Sequence, residues 1–68
     1  MPMKITLNGK ELKLDKSITI EQLLADLGFA GKPVVVEHNK DAIFPRDYGE
    51  ILVHNQDLLE IISIAAGG

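Results

Sequence analysis

There is no cysteine and no tryptophan among the 68 residues. Without cysteine the chain has no disulfide framework, no thiolate zinc site and no thiol nucleophile. Its fold must hold by side-chain packing alone. Aromatic residues are scarce too, at 4%, so the interior has to be aliphatic. Positive charge is in deficit: 7 lysines and arginines against 10 aspartates and glutamates give a formal net charge of −3. That balance lacks the basic footprint that phosphate backbones select, and argues against nucleic acid as a partner. Long apolar runs are missing, so nothing in the sequence reads as a membrane span. The first ten residues alternate apolar and polar around Asn8-Gly9. They form no unbroken apolar core of the signal-peptide kind, which points to the cytoplasm. Length is short as well. A single domain of this size buries about 60% of its unfolded surface, which leaves little to wall a pocket of about 300–1,000 Å³. An enzyme with its own substrate pocket is therefore disfavoured. The 46% of hydrophobic residues are enough for one small core.

Those residues are placed periodically. Met3, Ile5 and Leu7 alternate with Lys4, Thr6 and Asn8, the two-residue period of a half-buried strand. Asn8-Gly9 suits a type I′ turn with both central residues at positive φ. Leu12 and Leu14 then resume the alternation, so the first fifteen residues read as a hairpin. Thr19 is a good helix N-cap, and Gln22 three residues on completes a capping-box pattern, with Ile18 and Leu23 at the staple positions. Ile20, Leu23, Leu24 and Leu27 form one apolar stripe. The helix is expected over Ile20 to Leu27, with Gly28 left-handed just past its end and Phe29 folding back toward Leu24.

Val34-Val35-Val36 is β-branched throughout, as suits a central strand partly covered on both faces. Asn39 to Asp41 reads as a turn. Ile43-Phe44 is apolar and is stopped by Pro45, and Asp47 to Glu50 reads as a loop. Ile51-Leu52-Val53 is expected to form a short strand, His54 to Asp57 a turn, and Leu58 to Ile64 the last strand. This order implies an α+β fold, a mixed sheet with one principal helix on one face. Its first and last strands can lie parallel across the helix crossover, the β-grasp arrangement of ubiquitin-like domains. The expected core comprises Ile5, Leu7, Leu12, Leu14, Leu23, Leu27, Val36, Leu59 and Ile61.

Residues 1–64 read as the domain and 65–68, Ala65-Ala66-Gly67-Gly68, as a flexible tail. Consecutive small residues after so apolar a strand have a chemical reading. Glycine has no Cβ, so its backbone passes a narrow channel and brings a terminal carboxylate to a nucleotide in another protein. In combination with this tail, the chain resembles the ThiS-type sulfur carriers of thiamine biosynthesis over its full length. The resemblance rests on Ile5-Thr6-Leu7-Asn8-Gly9-Lys10, on Thr19-Ile20-Glu21-Gln22-Leu23-Leu24 and on the segment from Val34 to Asn39. It rests further on Ile43-Phe44-Pro45-Arg46 and on Asp57-Leu58-Leu59-Glu60-Ile61-Ile62 with Gly67-Gly68. Asn55-Gln56 stands where that family usually carries Asp-Gly.

The resemblance implies a ubiquitin-like β-grasp fold and a defined chemistry. A ubiquitin-activating-like adenylyltransferase, using ATP and Mg, adenylates Gly68. A sulfur donor protein, by way of a persulfide, then leaves a thiocarboxylate there, and thiazole synthase receives the sulfur. Gly67, Ala66 and Ala65 give access, and the protein itself binds no cofactor or metal and supplies no catalytic group. It is expected to be a monomer when free. The same terminal chemistry would serve a carrier for molybdopterin, tRNA thiolation or cysteine synthesis, or a ubiquitin-like covalent modifier. A plain interaction domain with a dispensable tail is the non-chemical alternative. The short length fits thiamine carriers better than molybdopterin ones.

Strand parity identifies a partner surface. With Leu59 and Ile61 inward, Leu58, Glu60, Ile62 and Ile64 point the other way, and an exposed apolar patch on a small protein often marks an interface. Phe44 joins that surface, and Arg46 is a candidate rim charge. His38 and His54 fit no metal-ligand spacing and read as ordinary strand-end or surface histidines. The carboxylates are scattered, with no compelling pair, and part of the acidic surface can steer docking onto a basic partner.

Overall fold

A computed structural model describes residues 2–64. The expected tail, Ala65, Ala66, Gly67 and Gly68, lies outside the described residues. The elements run β1 (Met3–Leu7), β2 (Lys10–Leu14), α1 (Ile20–Asp26), β3 (Val34–His38), β4 (Asp41–Ile43) and β5 (Leu58–Ser63), with a 3₁₀ turn at Pro45–Asp47. The five strands form one sheet in the order β2-β1-β5-β3-β4. β1 and β5 are parallel, and every other neighbouring pair is antiparallel. This is the mixed sheet with a helix crossover that the alternation and the apolar stripe predict.

Local chemistry explains each junction. Asn8 and Gly9 both take positive φ, 50° and 80°, and return the chain from β1 to β2. The Thr19 hydroxyl accepts the Gln22 N–H at 3.1 Å and caps α1. Past the helix, Gly28 stands at φ 85°, its N–H donates to Ala25 O at 3.1 Å, and the Phe29 N–H reaches Leu24 O at 2.7 Å. Those two bonds are the Schellman pattern, which satisfies carbonyls the helix leaves open. Pro45 ends β4, having no N–H to donate, and its fixed φ opens the 3₁₀ turn.

Ile5, Ile20, Leu23, Leu24, Val36, Val53, Leu59 and Ile61 are buried in one cluster between α1 and the sheet. Each such side chain contributes about 1.5–3 kcal/mol relative to exposure. The structure corrects several expectations. Ile20, Leu24 and Val53 belong to the core, while Leu7, Leu12, Leu14 and Leu27 are only partly buried around it. Leu12 and Leu14 lie on β2, an outer strand, where the helix covers less. Ile51-Leu52-Val53 is not a strand. Ile20 N–H donates to Ile51 O and Val53 N–H to Ile18 O, leaving one bridge between Thr19 and Leu52. Its partner enters a helix at Ile20, so the ladder cannot grow. β3 is covered on one face only: Val36 is fully buried, while Val35 stays 38% exposed. One helix cannot shield both sides of the sheet. The capping box is half formed, because the Gln22 side chain bonds Asp26 Oδ1 at 3.0 Å instead of turning back to the cap. β5 ends at Ser63, one residue before the expected limit.

Candidate functional site

The sheet face turned away from α1 has no covering layer among the described elements. β5 runs through its centre, and the two-residue period sends Leu59 and Ile61 into the core and Ile62 out. Ile62 is 50% exposed and Ile64 51%. Val35 lies directly opposite Ile62 in the register, so the two form one cross-strand apolar pair. Phe44 follows Ile43, which opposes the buried Val36, so parity sends Phe44 to the open side, where it is 62% exposed. The Arg46 guanidinium lies 5.0 Å from the Phe44 ring centroid, within cation–π range. Leu58 is half-buried at the start of β5.

The structure therefore brings Ile62 together with Val35, and Phe44 together with Arg46. Val35 is not among the surface residues named from the sequence; placing Val36 in the core sends Val35 to the other face, but that it meets Ile62 appears only in the register. The same register places Glu37 opposite Glu60. Like charges in directly opposed positions are destabilising, and neither side chain is among the ion pairs of the described residues. The apolar pair is thus bordered by negative charge. A complementary surface would be apolar with a basic margin. At the far end of β5, the Ile64 N–H donates to Pro33 O at 3.0 Å, which ties the last described residue to the start of β3.

A second polar cluster lies at the other end of β5, about 20 Å away along a six-residue strand. Asp57 is buried. Its Oδ2 accepts from His38 Nε2 at 2.6 Å and from the His54 N–H at 2.8 Å, and its Oδ1 accepts from Asn39 Nδ2 at 3.3 Å. Burial alone would raise the Asp57 pKa. The His54 N–H, the His38 ring, the Asn39 amide and the charge on His38 outweigh it and hold the carboxyl below the usual range. With both oxygens engaged, the aspartate ties the end of β3 to the turn that feeds β5. His38 is thus a strand-end histidine with a fixed carboxylate partner, a pairing nineteen residues apart that no sequence motif displays. Among the described residues no group of three His, Cys, Asp or Glu side chains is placed to hold a metal, and no helix is long and apolar enough to cross a membrane.

A five-stranded mixed sheet with parallel first and last strands and one crossing helix defines a ubiquitin-like β-grasp domain. The chain belongs to the ThiS family, whose model matches residues 3–68. It is similar to the sulfur carrier protein ThiS of Bacillus subtilis, with 38% identity over 65 residues, 94% of this chain and 98% of that one. It is also similar to a thiazole synthase of Paramagnetospirillum magneticum, with 36% identity over 66 residues and 97% of this chain. The chain spans only 20% of the length of that protein and of a second thiazole synthase, from Magnetococcus marinus. A crystal structure of the thiamine biosynthesis protein ThiS from Geobacter metallireducens superposes with a TM-score of 0.84 at 29% identity, covering 97% of this chain and all of that one.

Proposed function

We propose that this chain is a sulfur carrier of thiamine biosynthesis, with Gly68 as the point of attachment. The observation that carries the reading is the match to the Bacillus subtilis carrier across nearly the whole of both chains, with Gly67-Gly68 inside the stretch that the family model matches. The Gly68 carboxylate attacks the α-phosphorus of ATP in an adenylyltransferase, where Mg balances the phosphate charge, and expels pyrophosphate. The outer sulfur of a protein persulfide attacks the acyl-adenylate carbonyl and AMP leaves. A second thiol cleaves the resulting acyl disulfide, releasing the thiocarboxylate and a disulfide. This chain contributes no acid, base or nucleophile beyond its own carboxylate, and acts as a cosubstrate in the cytoplasm. Gly67, Ala66 and Ala65 allow close passage because they carry little or no side chain.

Thiazole synthase is the proposed acceptor of the sulfur. Support comes from two thiazole synthases that contain a stretch similar to 97% of this chain. The open face of Val35, Ile62, Ile64, Phe44 and Arg46 is the proposed docking surface for the adenylyltransferase and for the synthase in turn.

Intact mass spectrometry of the protein purified from its native host tests the chemistry. A fraction with one oxygen replaced by sulfur at Gly68 is expected. Deleting Gly68 shortens the reach by about 3.3–3.6 Å, more than in-line attack tolerates when reacting atoms must lie within about 3–3.5 Å. ATP–pyrophosphate exchange with the adenylyltransferase should fall by orders of magnitude, with thermal stability unchanged. Full exchange by the deletion variant, and no sulfur in the native protein, would reject the carrier reading.

A further inference from the structure

The pairing of β1 with β5 covers only two positions, Thr6 with Leu58 and Leu7 with Leu59. Along it, the Thr6 N–H donates to Asp57 O and the Asn8 N–H to Leu59 O, both at 2.9 Å. One rung further, a parallel ladder would offer Ile61 the carbonyl of residue 8 and the N–H of residue 10. The main chain cannot supply them, because Asn8 at φ 50° and Gly9 at φ 80° have already turned it into β2. The Asn8 side chain takes that place. The Ile61 N–H donates to Asn8 Oδ1 at 2.8 Å, and Asn8 Nδ2 donates to Ile61 O at 3.1 Å. A primary amide presents the same acceptor and donor as a peptide group, so Asn8 extends the ladder by one peptide while its backbone makes the turn.

Beyond Ile61 the described pairing of β5 is with the other neighbour: Ile62 with Val35, Ser63 with Val34, and the Ile64 N–H with Pro33 O. Two residues before the strand ends, Ile61 therefore bonds Asn8 through both its N–H and its C=O, while the residues after it pair with the β3 side. We propose that Asn8 is a positioning residue, which locks β5 at Ile61 and so steadies the strand from which the chain continues toward Gly68. The proposal rests on the carrier reading above. Asn8 is not among the residues of the proposed docking face, so its removal is expected to act on the strand that leads to the chain end more than on recognition.

The test uses Asn8→Gly and Asn8→Asp in the full chain. Glycine keeps the left-handed turn and removes only the side-chain amide. Aspartate keeps an acceptor but sets a second oxygen against Ile61 O. In Asn8→Gly the Ile61 amide should exchange about tenfold faster relative to Ile5, the size expected for a lost hydrogen bond. The kcat of ATP–pyrophosphate exchange should fall about tenfold while KM stays near the wild-type value. Asn8→Asp keeps the acceptor for the Ile61 N–H but loses the donor to Ile61 O, so near neutral pH it should show smaller losses in the same direction. Its Ile61 protection should return toward that of wild type at the same pH below about 4, where a protonated carboxyl again offers a donor and an acceptor. Unchanged Ile61 exchange in Asn8→Gly would overturn the lock, and faster exchange with an unaltered kcat would overturn the positioning role. If the wild type itself is not adenylated, the carrier reading and the positioning role fall together, and amide exchange still decides whether Asn8 holds β5.

Discussion

Asp57 shows how one side chain joins parts of the chain that are distant in sequence. Its folded pKa is lowered, the bonds from His54, His38 and Asn39 outweighing the opposing effect of burial. A group with a lowered folded pKa stabilises the fold above its unfolded value, about 3.9, and that stability is lost as pH falls through the folded value. Asp57→Asn should cost about 1.5–3 kcal/mol near neutral pH, as for hydrogen bonds to a charged group. The gap to wild type should narrow as pH falls below the unfolded value and through the lower folded one. Urea unfolding of both proteins between pH 7 and pH 2 measures it, and a constant gap would mean that the charge is not involved. Gln56 makes a second prediction at this scale. It stands at φ 69°, where side chains other than glycine are strained by about 1–2 kcal/mol, and its N–H donates to Lys4 O. Gln56→Gly relieves the strain but loosens the unfolded chain by about 0.5–1 kcal/mol. A net gain of about 0.5–1 kcal/mol in urea unfolding is expected.

Among the elements, α1 has only seven residues, too few to be stable alone, since isolated helices below about 12–15 residues are marginal in water. Its two ends and its packing stripe hold it. Gly28→Ala tests the C-terminal end. A Cβ there would meet nothing within 4 Å, so the cost is backbone strain at φ 85°, about 1–2 kcal/mol. Denaturant unfolding reads that loss. A neutral result would mean that the Schellman turn contributes little to holding α1. β5 depends on its neighbours in another way. It pairs with β3 along five positions but with β1 along only two, and side-chain amides continue the bonding where main chains turn away. Asn8 does so at Ile61, and Asn39 Oδ1 accepts the Leu58 N–H at 2.9 Å on the opposite edge.

Taken whole, the molecule separates its folding surface from its open surface across one sheet. Ile61 is 6% exposed and its neighbour Ile62 50%, so adjacent isoleucines are expected to respond differently to charge. Ile62→Asp should leave the fold intact, since the added carboxylate stays in water, with a modest fall in the thermal midpoint because Glu37 and Glu60 lie beside it. It should weaken docking to the adenylyltransferase by a few kcal/mol, because an unpaired charge would be buried there. Calorimetric titration against the partner, with a parallel melt of the free protein, separates the two effects. Wild-type affinity would move the docking surface elsewhere.

The hairpin, the helix and the inward parity of Leu59 and Ile61 were legible because each rests on interactions within a few residues: a turn preference, a cap and a repeating apolar spacing. The parallel meeting of the first and last strands also followed, once element order limited how a single helix can cross a sheet. The reading of Gly67-Gly68 as the reactive end stays a proposal, since these residues lie outside the described ones. Other features needed the tertiary structure, because they come from contacts between distant segments. Val35 is exposed only because one helix covers one face. Val53 is buried although its segment forms no strand, because it lies against Ile18 at the helix entry. Glu37 meets Glu60, His38 meets Asp57 and Asn8 completes a ladder at Ile61 only after the strand register exists. Periodicity assigns a side chain to a face, but which residue stands opposite it depends on register, and register arises when the whole sheet is assembled.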